Sequence, residues 1–301
     1  MDTFDEKYFG AARLLPQALR SAALALPPPE QRLAEELRLR AGFPVSAVLP
    51  GGERGLGGPE VRPSDLDAMA EIATGASAHS ARGTIRAGYI NAPGGYRIGL
   101  CGETVADLSG VSGFRVLSSA AVRIPREIAG VAKRAAAALG GKIGSLLIIS
   151  PPGAGKTTFL RDLIRLVSDG EPGLGIAPSR VALADERGEI AAVAGGVPQM
   201  NVGSRTDVLS GCPKAEAAMM LLRAMNPETL ALDEITAPED AAAARSAANC
   251  GVRLFATAHA ASPEDLARKP LYAELLRGGV FGTAVVIRRC GARRVYETER
   301  L

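Results

Sequence analysis

The run Ser150-Pro151-Pro152-Gly153-Ala154-Gly155-Lys156-Thr157-Thr158 has the residue types and spacing to bind a polyphosphate. Gly153 and Gly155 let the backbone turn its N–H groups toward an anion with no Cβ in the way. A helix opening at residue 156 adds its positive N-terminal end. In this arrangement Lys156 reaches the β and γ phosphates of ATP, and the Thr157 hydroxyl coordinates Mg²⁺. The chain departs once from the pattern G-x-x-x-x-G-K-[ST]: Ser150 stands at the first glycine, where serine tolerates most turn geometries. The whole segment from Ser150 to Thr158 is the expected nucleotide-binding loop.

A bound Mg-nucleotide needs a second acid for the metal's water shell and a group that orients the attacking water. The apolar run TLAL at 229–232 ends in Asp233-Glu234, which puts Asp233 at the metal with Thr157 and leaves Glu234 to polarise water. The plainer alternative is an acidic helix cap, because Pro238-Glu239-Asp240 follows. A second strand-like run, RVALA at 180–184, ends in Asp185-Glu186-Arg187 with Glu189 beyond. Asp185, Glu186 and Glu189 are therefore further catalytic candidates, or else solvated loop charges. VRLFAT at 252–257 leads to His259, a candidate γ-phosphate sensor with Thr257 beside it. His79, in TGASAHSARG, has no comparable context and reads as structural.

These residues act together only if one sheet edge gathers them. Candidate strands at 145–149, 180–184, 229–232, 252–257 and 283–288 alternate with candidate helices at 156–168, 214–225, 238–249 and 263–277. That alternation predicts a parallel sheet covered on both faces, with the acids and the histidine at its carboxyl edge, where open α/β folds bind ligands. Alanine runs at 135–138 and 241–244 fit helix surface or close packing. The first part reads as α+β. Residues 30–40 begin as an amphipathic helix and end in the alternating Leu37-Arg38-Leu39-Arg40, PGGERGLGG at 50–58 is a loop or hairpin tip, and Pro93-Gly94-Gly95 turns a β-hairpin. The expected domains are 1–127 and 128–301.

Composition narrows the class. The chain has 301 residues, 47% hydrophobic and 22% charged, and this is the composition of a globular protein. Thirty-five basic residues against 32 acidic ones give a net charge of only +3, and aromatics are 4% with no tryptophan. Neither the field nor the stacking platform of a nucleic-acid binder is evident, so no nucleic-acid partner is expected. Cys101, Cys212, Cys250 and Cys290 lie far apart with no CxxC pair and read as reduced thiols. Asp2, Asp5 and Glu6 occupy the place of a signal peptide's basic start, which predicts a cytoplasmic protein. The apolar run at 146–149 is far too short to span a bilayer, so any membrane association goes through a partner or a surface patch.

The stretch Ser204-Arg205-Thr206-Asp207-Val208-Leu209-Ser210-Gly211-Cys212-Pro213-Lys214, followed by AEAAMMLLRAMNPETLALDEI, resembles the stage III sporulation protein AA ATPases, which are similar to type II and type IV secretion and pilus-retraction motors. SAAVRIPREI at 119–128 and GGYRIGLCGE at 94–103 look like that family's N-terminal domain. Ser150 and Thr236 stand where the family usually has glycine. The resemblance implies a RecA-like P-loop NTPase domain with a parallel-rich sheet, preceded by a smaller α+β N-terminal domain. It also implies an Asp box at Asp185, Glu186 and Glu189, and a His box over Ala256-Thr257-Ala258-His259. It implies as well a ring, commonly a hexamer, in which one subunit lends arginines to its neighbour's nucleotide. Candidate donors are Arg97, Arg115, Arg123, Arg126 and Arg205. Family membership would place the motor on the mother-cell side of a sporulation channel, with membrane proteins as partners. Water is activated by Glu234 or by an Asp-box acid. A helicase-loader-like ATPase and a nucleotide-dependent scaffold with little turnover remain as other classes of function.

Overall fold

The computed structural model describes residues 3–75, 82–107, 110–290 and 293–301, and His79 lies outside them. The chain divides into two units, Met1–Arg126 with Ala192–Gln199, and Glu127–Ala191 with Met200–Leu301. The short excursion at 192–199 joins the first unit from within the second unit's sequence, so no single boundary separates the two.

The first unit opens with helices α1 (Thr3–Arg13), α2 (Gln17–Leu24) and the single turn α3 (Pro28–Gln31). Strands β1 (Glu36–Arg40), β2 (Pro44–Leu49) and β3 (Gly52–Glu60) follow, then α4 (Pro63–Thr74), α5 (Arg82–Arg86), β4 (Tyr89–Ala92), β5 (Tyr96–Asp107) and β6 (Gly110–Arg123). They form a six-stranded antiparallel sheet in the order β3-β2-β1-β6-β5-β4. Period-2 alternation puts Leu37, Leu39, Ile98 and Val122 into a core with Tyr8, Leu15, Leu19, Leu66 and Met69 from the helices. The opposite face carries Arg38 and Arg123, both bonded to Glu36, and Arg97, whose guanidinium lies 3.9 Å from the Tyr89 ring centre. Of the glycine-rich stretch expected to be a loop or hairpin tip, residues 50–51 turn the β2–β3 hairpin, and the rest is the edge strand β3. Its residues are mostly exposed, so the strand is held by backbone pairing to β2 and needs few side chains to bury.

The second unit runs α6 (Lys133–Ala138), β7 (Leu146–Ser150), α7 (Lys156–Asp169), β8 (Val181–Asp185), β9 (Thr206–Ser210), α8 (Lys214–Ala224), β10 (Thr229–Leu232), α9 (Pro238–Asn249), β11 (Arg253–His259), α10 (Pro263–Ala267), α11 (Pro270–Arg277), β12 (Thr283–Cys290) and β13 (Arg293–Arg300). Its seven-stranded sheet has the order β13-β12-β7-β11-β10-β8-β9. All neighbours from β12 to β9 are parallel, and β13 alone is antiparallel, as the partner of β12. The central strands β7, β8 and β10 are buried along their whole length, which their unbroken apolar sequences require. On one face Ala241, Ala244 and Ala247 of α9 and Ala217, Ala218 and Leu221 of α8 pack on the sheet, so the 241–244 run is a close-packing surface.

The expected helix over 263–277 is two helices. Pro270 has no N–H to continue α10 and instead opens α11. Strands β9 and β13 escape sequence reading. β9 is only half-buried and carries Thr206, Asp207 and Ser210, whereas β13 is dominated by arginine and glutamate.

Candidate nucleotide site

Sheet register gathers the chemistry at one edge. β11 pairs with β7 so that His259 lies beside Ser150, and Leu232 pairs with Ala256 and with Ala184. Asp233 therefore leaves its strand level with Asp185 on one side and Thr257 on the other, and the Thr257 hydroxyl donates to Asp233 Oδ1 at 3.2 Å. A cavity of about 440 Å³ opens here. Gly153, Gly155, Lys156, Thr157 and Thr158 line it from the loop and the start of α7, Glu186, Arg187 and Glu189 from the loop after β8, and Asp233, Glu234, Thr257 and His259 from the strand ends. Lys214, Thr236 and Arg294 complete the wall.

Gly153 and Gly155 adopt φ of 72° and 102°, left-handed values that aim successive N–H groups into one concavity. Lys156 is only 7% exposed. Its ammonium donates to the carbonyls of Ser150 at 3.1 Å and Pro151 at 3.3 Å, and meets His259 Nδ1 at 2.8 Å. Burial depresses its pKa, and the carboxylates of Glu234 and Asp233 offset part of that shift. An ammonium has only hydrogens to give, so Nδ1 accepts and the imidazole proton sits on Nε2, 2.8 Å from Glu234 Oε2. Lys156, His259 and Glu234 thus form one chain across the cavity. A buried cation resting on its own loop's carbonyls, beside a cradle of left-handed glycines, fits a polyphosphate. Thr157 and Asp233 are the two groups that would hold its Mg²⁺. Among the described residues no group of three or more His, Cys, Asp and Glu side chains is arranged to hold a metal ion.

Asp185 does not line the cavity. It is 1% exposed, and its carboxylate accepts N–H bonds from Glu189 at 3.0 Å, Ile190 at 3.2 Å and Ala191 at 2.8 Å. Burial raises its pKa against those hydrogen bonds. In this way it ties down the loop that carries Glu186 and Glu189. Arg161 holds the same loop from α7, donating to the carbonyls of Ile190 at 2.6 Å and Glu189 at 2.7 Å. Ser150, Pro151, Pro152 and Ala154 do not line the cavity; the carbonyls of Ser150 and Pro151 hold Lys156, and the Ser150 hydroxyl turns back to the Pro151 carbonyl at 2.9 Å.

The acidic helix cap weighed against Asp233-Glu234 exists, and Asp240 makes it. Its carboxylate takes the N–H groups of Thr236 at 2.9 Å and Ala237 at 3.1 Å, which leaves Asp233 and Glu234 to the cavity. Sequence reasoning missed Lys214 as a cavity cation. Its Nζ donates to the Glu234 carbonyl at 2.7 Å and lies 3.5 Å from Glu186 and 3.6 Å from Asp240. A lysine at the start of a helix, where cations are disfavoured, was the available signal. Arg294 was missed with its strand. Arg205 stands at the start of β9, at the opposite edge of the sheet, and Arg97, Arg115, Arg123 and Arg126 belong to the first unit.

The family described as Sporulation stage III, protein AA, matches residues 6–296. The chain belongs to that family. The stage III sporulation protein AA of Bacillus subtilis (strain 168) is 35% identical over 260 residues, 86% of this chain and 84% of the relative. The solved pilus retraction motor PilT with bound ADP is similar in structure, with a TM-score of 0.61 at 17% identity, covering 91% of this chain and 80% of that one. The Legionella pneumophila ATPase DotB gives 0.56 at 15% identity, covering 89% and 76%. At such identities the likeness is one of fold, a RecA-like domain preceded by an N-terminal domain.

Proposed function

We propose that this chain binds MgATP on the loop from Ser150 to Thr158, hydrolyses it, and works as a ring-forming motor, a hexamer, that energises a sporulation channel between mother cell and forespore from its cytoplasmic, mother-cell face. The observation that carries the reading is the chain Lys156–His259–Glu234, which ends beside Thr157 and Asp233. Mg²⁺, when held there, would neutralise phosphate charge and order water. Lys156 is available to the β and γ phosphates once it leaves His259. Glu234 then has a hydrogen-bonded partner, His259, that fixes its direction and reports on the lysine. Glu234 is favoured over Glu186 as the water-orienting base, because it follows Asp233 directly at the end of β10 and His259 holds its carboxylate across the cavity. Family membership supports the sporulation destination, and the absence of any helix long and apolar enough to cross a membrane among the described residues fits channel proteins as separate partners. Arginines from a neighbouring subunit, drawn from Arg97, Arg115, Arg123, Arg126 and Arg205, would stabilise charge on the transferred phosphoryl group.

Steady-state phosphate release against protein concentration, with Glu234→Gln and Glu186→Gln beside the wild type, tests this. Wild-type specific activity should rise with concentration, Glu234→Gln should lose roughly 100-fold or more, and Glu186→Gln markedly less. Negligible turnover in the wild type, with nucleotide still bound, would move the protein to the scaffold class.

A further inference from the structure

Arg294 enters the cavity from the side opposite the acids. β7 carries the phosphate loop; β11 and β10 lie to one side of it and bring His259, Asp233 and Glu234, whereas β12 and β13 lie to the other. Val286 of β12 pairs with Ile149, and Arg289 pairs with Arg294 of β13, so this hairpin overshoots the end of β7 and runs alongside the loop. Two residues on, Tyr296 shares the face of Arg294 and stacks on Phe159 of α7 with ring centres 5.2 Å apart. That stack seats β13 over the first turn of α7 and carries Arg294 to the helix's N-cap, Gly155.

There Arg294 Nε donates to the carbonyl of Ala154 at 2.9 Å. Among the described residues no acceptor takes its terminal nitrogens. A Cβ on Gly155 would come within 3.1 Å of Nε, so the glycine makes room for this guanidinium as well as for the turn. The side chain is thus pinned by one bond, exposed, and presents its two-pronged end beside the loop's N–H groups. Lys156 already faces the acids, so a γ phosphate that it reaches would lie on the β11 side. The β13 side is left for the nucleoside end.

We propose that Arg294 binds the phosphate oxygens nearest the nucleoside, the part of the ligand that ATP and ADP share. The inference rests on the nucleotide-site reading above. Arg294 is then a binding residue common to both nucleotides.

The test is calorimetric titration of the full chain with MgADP and with a non-hydrolysable MgATP analogue, using wild type, Arg294→Ala and Arg294→Lys. Arg294→Ala should weaken both ligands by the same factor, roughly tenfold or more, as loss of a charge-assisted bond implies, and Arg294→Lys should recover part of it. Unchanged melting curves of the free variants exclude misfolding. Affinities within twofold of wild type, or a loss confined to the triphosphate analogue, would overturn the assignment. A wild type that binds neither ligand would overturn the nucleotide-site reading itself.

Discussion

Lys156 is a cation kept dry, and its cost to the empty protein is a residue-scale consequence of the site. Its lowered pKa says that burial outweighs the attraction of Glu234 and Asp233. Lys156→Met keeps most of the side-chain volume and removes the charge, so the nucleotide-free variant should melt at a higher temperature than wild type while losing nucleotide binding. Paired thermal melts and ligand titrations check both halves. Burial disfavours the charge of Asp185 as well, but there the carboxylate oxygens are matched by three backbone N–H groups. Asp185→Asn turns one acceptor into a donor facing N–H groups and should cost about 1–3 kcal/mol, read as a lower urea midpoint. If Asp185→Asn were as stable as wild type yet inactive, Asp185 would be a catalytic acid and not only a loop anchor.

At the scale of elements, the turn from β10 into α9 aims Asp233 and Glu234, and Asp240 sets that turn. Lys214, at the head of α8, ties the Glu234 carbonyl to the same carboxylate. Asp240→Ala removes the cap and a partner of Lys214 together. A stability loss of about 1–2 kcal/mol is expected, with a fall in turnover that persists at temperatures where the variant is fully folded. Urea unfolding and phosphate release on the same preparation separate the two effects. Tyr272 of α11 supports the turn from behind, its hydroxyl donating to the Ile235 carbonyl at 2.6 Å.

For the whole molecule, the proposed ring needs arginines delivered from another copy. Glu234→Gln, which should bind nucleotide and turn it over slowly, is the variant in which to look for assembly. Adding MgATP to it should move the mass distribution, measured by single-particle light scattering, from monomer toward hexamer, while Lys156→Met should stay monomeric. A distribution indifferent to nucleotide in both would count against the ring.

Much of this protein was legible in one dimension. Fully buried parallel strands must be apolar along their length, so SLLII, VALA and TLAL announced themselves, and the residue types after each marked the sheet's carboxyl edge. The glycines, Lys156 and Thr157 are local features, set by backbone freedom and helix N-terminal geometry within a few residues. Packing selected which acids share the cavity. Asp185 and Glu186 are neighbours in sequence, yet the first turns inward to the N–H groups of its own loop and the second outward to Lys214, a difference made by packing. Arg294 had no signal at all, because an edge strand rich in arginine and glutamate buries too little to show a period, and its place beside Gly155 follows from strand order and the Tyr296–Phe159 stack.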